Sequence, residues 1–114
     1  MQTEKLIELV TGFLEDMKAK DITLLDVRGK STITDYMLIA SGTSSRHVVS
    51  TAQDVAEKVK KLGLQPMGVE GQQTGDWILV DLGDLVVHVM MPDARSFYDL
   101  ERLWSIDETE SEAK

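Results

Sequence analysis

The sequence predicts one α/β domain in which helices flank a mixed β-sheet, with the elements in the order α-β-β-α-β-β-β-α. Two observations indicate this class. Apolar residues recur at helical spacing in two long segments, and short runs rich in aliphatic residues lie between and after them. Because 114 residues can bury one hydrophobic core and little more, we expect a single domain over residues 1–105 and an acidic, disordered tail over residues 106–114.

The first four elements follow from spacing and from turn-forming residues. Between Thr3 and Lys20 the apolar side chains recur at helical spacing, which predicts an amphipathic helix: Leu6, Val10, Phe13, Leu14 and Met17. The runs "ITLLDVR" from Ile22 and "DYMLIAS" from Asp35 are separated by the turn-forming "GKSTIT" and predict two paired strands. A second apolar stripe predicts a helix that ends at Gly63, a residue suited to a helix C-cap: Val48, Ala52, Val55, Val59 and Leu62.

The last four elements are three strands and a helix. The segment "MGVEG" predicts a short extended piece, and "DWILVDLGDLVVHVM" over residues 76–90 predicts a β-hairpin whose central turn residues are Gly83 and Asp84. Pro92 and Asp93 suit the first turn of a final helix. The apolar residues of that helix are Phe97, Leu100 and Trp104.

The turn of the hairpin fixes which residues face each other across its two strands. The register pairs Leu82 with Leu85, Asp81 with Val86, Leu79 with His88 and Trp77 with Met90. Alternation then separates an aliphatic core face from a mixed face. The core face holds Ile78, Val80, Leu82, Leu85, Val87 and Val89. The mixed face holds Trp77, Leu79, Asp81, Val86, His88 and Met90.

Two interpretations of the mixed face stay open on the residues alone. Aromatic and thioether side chains beside an acid and a histidine are common in protein-binding surfaces. Alternatively, a helix covers this face, and Asp81 and His88, which are diagonal neighbours within reach of a hydrogen bond or ion pair, satisfy each other.

The sequence offers few groups for catalysis or metal binding. There is no cysteine, which excludes disulfides, cysteine nucleophiles and thiolate metal sites. Asp84 lies in the turn while Asp81 and His88 lie on the sheet face, so the three side chains do not converge on one ion. We therefore expect no catalytic residue, metal or cofactor.

The "SGTSSRH" segment has two interpretations. A Gly- and hydroxyl-rich loop that enters a helix can hold a phosphate through its backbone amides, but Ser44 or Ser45 can equally cap the helix. The segment lacks the spacing and the lysine of a nucleoside-triphosphate loop. It resembles the loop of nucleotidyltransferases, yet the acidic pair that holds metal ions in those enzymes does not follow it.

Charge and hydropathy limit the classes of molecule that the protein is expected to bind and the cellular compartment in which it is expected. A formal net charge of -8 repels phosphate backbones, which disfavours a nucleic-acid binder and favours a basic protein partner. Part of this charge lies in the tail. The N-terminal residues do not have the pattern of a secretory signal, and no apolar run approaches the roughly 18 residues that span a bilayer. We expect a cytoplasmic protein that does not bind membranes.

Several segments together resemble the ribosomal silencing factor family, also called RsfS or Iojap. These are "DYMLIASGTSSRHV", "GVEG", "DWILVDLGDLVVHVM" and "RSFYDLERLW", in the family's order, and the resemblance extends from about Leu6 to Trp104. It implies a domain related to the nucleotidyltransferase fold without that activity, often a homodimer. It also implies binding to the large ribosomal subunit through its ribosomal protein fourteen, which blocks joining of the small subunit when nutrients are scarce.

The resemblance also implies a set of partner-binding residues. They are Trp77, Asp81 and His88 of the hairpin together with Glu70, Arg95 and Tyr98, and the mixed hairpin face adds Leu79 and Met90. Trp77 would be the anchor of this surface, since buried Trp, Tyr and Arg dominate interface energies. Two other functions remain as alternatives: a dimeric adaptor with another basic protein partner, and a nucleotidyltransferase that uses the "SGTSS" loop.

Overall fold

The computed structural model describes residues 2–32, 34–71, 74–99 and 102 of the chain. Within these ranges the elements follow the predicted order, which is thereby confirmed. The helices are α1 (Thr3–Asp16), α2 (Ser45–Lys61) and α3 (Pro92–Tyr98). The strands are β1 (Lys20–Asp26), β2 (Tyr36–Ser41), β3 (Gly68–Glu70), β4 (Trp77–Asp81) and β5 (Leu85–Met90).

The strands form one mixed five-stranded sheet in the spatial order β1-β2-β5-β4-β3. The central pair β2 and β5 is parallel, and the three other pairs are antiparallel. Since α2 lies between β2 and the strands that follow it, the chain crosses over a sheet face before β5 pairs with β2. The predicted α/β class with a mixed sheet is confirmed.

Helices α1 and α2 cover one face of the sheet and contact each other. The core between the helices and the sheet is built from fully buried aliphatic side chains. They include Val10 and Leu14 of α1, Val48, Val55 and Val59 of α2, and Ile78, Val80, Leu85, Val87 and Val89 of the hairpin. The aliphatic hairpin face is therefore the core face, as the register predicts.

The second sheet face carries the alternate residues of the same strands. Helix α3 follows β5 directly, and the guanidinium of Arg95 donates hydrogen bonds to the hydroxyls of Ser41 and Thr23, at 2.9 and 3.1 Å. Ser41 belongs to β2 and Thr23 to β1. The Arg95 side chain thus connects α3 to β1 and β2, which lie at the opposite end of the strand order from β4 and β3.

Several element boundaries differ from the predictions by a few residues, and two of these differences have a clear local reason. Helix α1 ends at Asp16, before the predicted Lys20, because Lys18 adopts a left-handed conformation with φ 62° that a helix cannot continue through. Strand β1 ends at Asp26, before Arg28, because the Asp26 carboxylate accepts hydrogen bonds from the backbone and guanidinium of Arg28 and holds a turn.

The end of the chain lies outside the described residues. This applies to the predicted helical positions Leu100 and Trp104 and to the predicted acidic tail over residues 106–114. Among the described helices, none is both long and apolar enough to cross a membrane.

Candidate functional site

The hairpin has the register that its turn predicts. Leu79 pairs with His88, Trp77 with Met90 and Asp81 with Val86, and the Leu82 amide donates to the Leu85 carbonyl at 2.9 Å. Of the two central turn residues, only Gly83 has a positive φ, of 93°. The residues of the mixed face are therefore on one side of the sheet, opposite α1 and α2.

The mixed face divides by strand into a buried and an accessible column. The β5 residues are buried: Val86, His88 and Met90 are 4, 3 and 0% exposed. The β4 residues are half-buried, namely Trp77, Leu79 and Asp81. Strand β5 lies at the centre of the sheet with a neighbour on each side, whereas β4 is next to an edge strand of three residues. The accessible part of the face is consequently its β4 column.

Trp77 and His88 form the central contact of this face. The indole Nε1 donates a hydrogen bond to Nδ1 of His88 at 2.9 Å. The two ring centroids are 5.8 Å apart, and the ring planes are inclined by 41°. The contact is diagonal in the strand pairing, since Trp77 faces Met90 and His88 faces Leu79.

Burial keeps the His88 ring neutral. Desolvation disfavours the imidazolium and lowers the pKa of His88 to about 4. Because Nδ1 accepts the indole hydrogen bond, the ring proton of the neutral form is on Nε2. That Nε2 is buried and has no hydrogen-bond partner among the described residues. His88 and Met90 are thus inaccessible to a partner directly, and His88 connects to the surface through Trp77.

Acid should destabilise the fold through His88. In the unfolded chain this histidine has its ordinary pKa of 6.5, so between pH 6.5 and about 4 the unfolded chain binds a proton that the folded chain does not. The stabilisation is complete above pH 6.5 and is lost as the pH falls towards 4, by up to about 3 kcal/mol. Urea unfolding at several pH values, compared with His88→Leu, isolates this contribution. Equal pH slopes for both proteins would contradict it.

Asp81 does not pair with His88, so the alternative interpretation in which these two side chains satisfy each other is wrong. The Asp81 carboxylate instead accepts a hydrogen bond from the Gly83 amide at 2.9 Å, within the hairpin turn. A short acidic side chain often bonds to the backbone two residues ahead, and here that local bond wins. Asp81 remains half-exposed beside the turn, with one carboxylate oxygen oriented by it.

A shallow open cleft of about 230 Å³ lies beside Trp77 on the second face. It is lined by Glu70, Gly71, Trp77 and Leu79. Glu70 is exposed and pairs with Leu79 across β3 and β4. The cleft therefore combines an indole, an aliphatic side chain and a carboxylate. Gly71, which sequence reasoning missed as a site residue, also lines the cleft, next to the Trp77 backbone.

Arg95 and Tyr98 are placed apart from this cleft or are not fully described. The guanidinium of Arg95 is bound to Ser41 and Thr23, on β2 and β1. Strand β2 is separated from β4 by β5, a distance of about 10 Å across the sheet. Tyr98 is the last residue of α3, and its side chain lies outside the described part of the structure. The structure brings together Glu70, Trp77 and Leu79, with Asp81 further along β4.

The "SGTSSRH" segment caps α2. Ser44 is the N-cap residue, and its hydroxyl accepts a hydrogen bond from the His47 amide at 3.1 Å. The Thr43 amide donates to Nδ1 of His47 at 2.9 Å, and Nε2 of His47 contacts the Met17 carbonyl oxygen at 2.6 Å. His47 thus joins the start of α2 to the end of α1, a role that no pattern in the sequence indicates. In the described part of the chain, no three acidic, histidine or cysteine residues are grouped so that they could hold a metal ion.

Comparison with known proteins decides the family. A family model described as "Ribosomal silencing factor during starvation" matches residues 1–114. The chain belongs to the ribosomal silencing factor family. The ribosomal silencing factor RsfS of Haemophilus influenzae is 49% identical over 100 residues, which cover 88% of this chain and 98% of that protein. RsfS of Bacillus subtilis is 38% identical, over 91% of this chain and 88% of its own length.

Solved structures of similar proteins have the same fold. A crystal structure of a Chromobacterium violaceum protein, 41% identical, has a TM-score of 0.90 and covers 95% of this chain and 90% of that one. A Bacillus halodurans crystal structure, 34% identical, has a TM-score of 0.81 and covers 90% and 95% of the two chains. The resemblance drawn from the motifs is confirmed, and the role described for the ribosomal silencing factor family is regulatory.

Proposed function

We propose that this ribosomal silencing factor binds the large ribosomal subunit through its ribosomal protein fourteen and sterically blocks joining of the small subunit. Translation would then fall under nutrient limitation because initiation cannot be completed. The observation that carries the proposal is the accessible β4 column, with Trp77, Leu79 and Asp81 half-buried on a sheet face that α1 and α2 leave uncovered. Such a role implies that the protein acts in the cytoplasm, where ribosomal subunits join.

The names of similar proteins support a ribosomal partner. The description of the matching family model is "Ribosomal silencing factor during starvation". A mouse protein that is 34% identical over 103 residues is named "Mitochondrial assembly of ribosomal large subunit protein 1"; the match covers 88% of this chain and 45% of that protein. Both descriptions are compatible with binding to a ribosomal subunit, and the second names the large one.

The chemistry of the cleft supports a basic protein as the partner. Trp77 offers an aromatic face beside the exposed carboxylate of Glu70, and Asp81 adds a second acid on the same side of the sheet. A cationic side chain gains from the carboxylates and from the indole ring. Large rigid aromatic side chains with a polar atom are also frequent energetic centres of interfaces.

The overall charge supports selection of a protein over the surrounding RNA. With a formal net charge of -8, the chain is repelled by phosphates and attracted to a basic ribosomal protein. Complementary charge accelerates association and fixes orientation more than it adds affinity. We therefore expect the rate of binding to large subunits to fall as salt concentration rises.

The proposed mechanism is occupancy and requires no reaction. A protein seated on one side of the joining surface excludes the small subunit by volume, so its effect is set by affinity and concentration.

We also propose that two copies associate into a homodimer in the absence of the subunit, as the family resemblance implies. Sedimentation equilibrium over a range of concentrations tests this association, and a mass of 12.7 kDa throughout would contradict it.

Ordered addition tests the blocking mechanism. Purified large subunits are incubated with the protein before small subunits are added, and the particles are separated on a sucrose gradient. We expect joined particles to decrease in proportion to the fraction of large subunits that carry the protein. The same protein added after joining should have a smaller effect, because its site is then covered.

One outcome of this experiment would reject steric blocking. If the protein migrates with joined particles at a ratio near one to one, it binds without preventing association. Leu62→Ala is a suitable control variant, since Leu62 follows α2 and is 44% exposed, away from the mixed face. It should block joining as the unaltered protein does.

A further inference from the structure

The Trp77 indole is hydrogen-bonded to a residue that is itself hidden from solvent. Trp77 lines an open cleft and is only half-buried. Its Nε1 nevertheless donates to His88 Nδ1 at 2.9 Å, and His88 is 3% exposed. The hydrogen bond therefore connects an accessible ring to a side chain held inside the sheet face.

The position of His88, the acceptor of this bond, is fixed by its place in the sheet. It lies in the central strand β5, where it pairs with Leu79 of β4 and with Ile39 of β2. Its ring is neutral because burial disfavours the charged form. With its proton on Nε2, the neutral ring keeps a lone pair on Nδ1, which the imidazolium lacks, and so offers the indole an acceptor at neutral pH.

Packing alone does not explain a histidine at this position. The Nε2–H group is buried without a hydrogen-bond partner among the described residues, which is unfavourable for the folded state. An aliphatic side chain would fill the same strand position without burying an unpaired polar group. The feature that the imidazole supplies and an aliphatic residue cannot supply is the acceptor for Trp77.

We propose that His88 is a positioning residue, which holds the Trp77 indole in the orientation that the partner of the second sheet face recognises. This inference rests on the proposed function, in which Trp77 is the anchor of binding. Without the acceptor, the indole loses a hydrogen bond that sets its orientation, and more of its ordering must take place when the partner binds. The affinity for large subunits then falls by roughly tenfold, the usual penalty for immobilising one large side chain.

Two substitutions separate positioning from a structural role. His88→Leu removes the acceptor and also removes the unpaired Nε2–H, so it should keep or raise the free energy of unfolding in urea at neutral pH. His88→Asn keeps an acceptor oxygen near the position of Nδ1. We expect His88→Leu to lower affinity for purified large subunits while the fold stays intact, and His88→Asn to restore most of it.

The indole N–H signal in nuclear magnetic resonance reports the orientation directly. The chain has two tryptophans, and Trp77→Phe assigns their two indole signals. We expect the Trp77 signal of the unaltered protein to exchange slowly with water, and that of His88→Leu to exchange faster and shift towards the value of an exposed indole. His88→Asn should stay close to the unaltered protein.

Each result either supports the positioning role or overturns it. Fast exchange of the Trp77 indole in the unaltered protein would show that the bond is not held in solution and would end the proposal, even if both variants failed to fold. Unchanged indole exchange or unchanged affinity in a folded His88→Leu variant would also overturn it. If Trp77→Ala binds large subunits normally, the proposed function fails instead, whatever the indole signals show.

Discussion

Trp77→Ala should abolish cosedimentation with large ribosomal subunits and leave the fold intact. The side chain is only half-buried and lies outside the core that packs against α1 and α2, so its loss removes contact surface more than core volume. Truncation of a central aromatic anchor commonly costs about 2 kcal/mol of binding free energy or more, which is at least ~30-fold in affinity. The measurement is the fraction of protein that migrates with large subunits on a gradient.

Matched variants make this result specific. Trp77→Phe keeps a ring and loses the hydrogen bond to His88, so its affinity should lie between those of the unaltered protein and Trp77→Ala. Met67→Ala removes a side chain that is 74% exposed near the same edge of the sheet but outside the cleft, and it should cosediment normally. Normal cosedimentation of Trp77→Ala, with an unfolding curve like that of the unaltered protein, would remove Trp77 from the proposed site.

The fold could be predicted closely because local signals and burial agree along most of the chain. Ser44 and the stripe from Val48 define α2, and the glycine of the hairpin turn defines the register of β4 and β5. These signals act over a few residues and depend on backbone geometry and alternation. The end of α1 was missed because nothing in the residue type of Lys18 requires a left-handed conformation.

The sequence predicts which residues share the mixed face. It does not predict which of them are accessible, because accessibility depends on the tertiary packing around each strand. Alternation places Trp77 and His88 on the same side of the sheet, but the tertiary packing over each strand decides that His88 is buried and Trp77 accessible. The choice of Asp81 between His88 and the Gly83 amide is likewise a competition between a local and a cross-strand hydrogen bond. Such competition depends on distances that a sequence does not contain.

The close approach of two backbone segments beside the cleft explains why a glycine follows β3. At Gly71, φ is 91°, and an added Cβ would overlap the Trp77 carbonyl oxygen and lie 3.3 Å from the Ile78 Cα. These neighbours are backbone atoms of β4, so they cannot move aside without shifting the strand. Gly71 is therefore the point at which the backbone beside β3 approaches the strand that carries the proposed anchor.

Gly71→Ala should accordingly destabilise the fold and displace Trp77 together. A side chain at positive φ and the clash with β4 are each unfavourable by about 1–3 kcal/mol, so we expect a loss of roughly 2–6 kcal/mol in the free energy of unfolding. Urea unfolding measures the loss, and gradient sedimentation below the unfolding transition measures binding, which should weaken because the Trp77 backbone has moved.

Two other glycines separate the causes of this effect. At Gly68, in β3, an added Cβ meets nothing within 4 Å and φ is not positive, so Gly68→Ala should change stability by less than about 1 kcal/mol. At Gly29 φ is 79° but the space is open, so Gly29→Ala should show the conformational penalty without the clash. If Gly71→Ala is no more destabilising than Gly29→Ala, the close approach to Trp77 does not constrain the cleft. A larger loss at Gly71, accompanied by weaker binding, would connect the cleft's shape to the position of β4 and hence to that of the anchor.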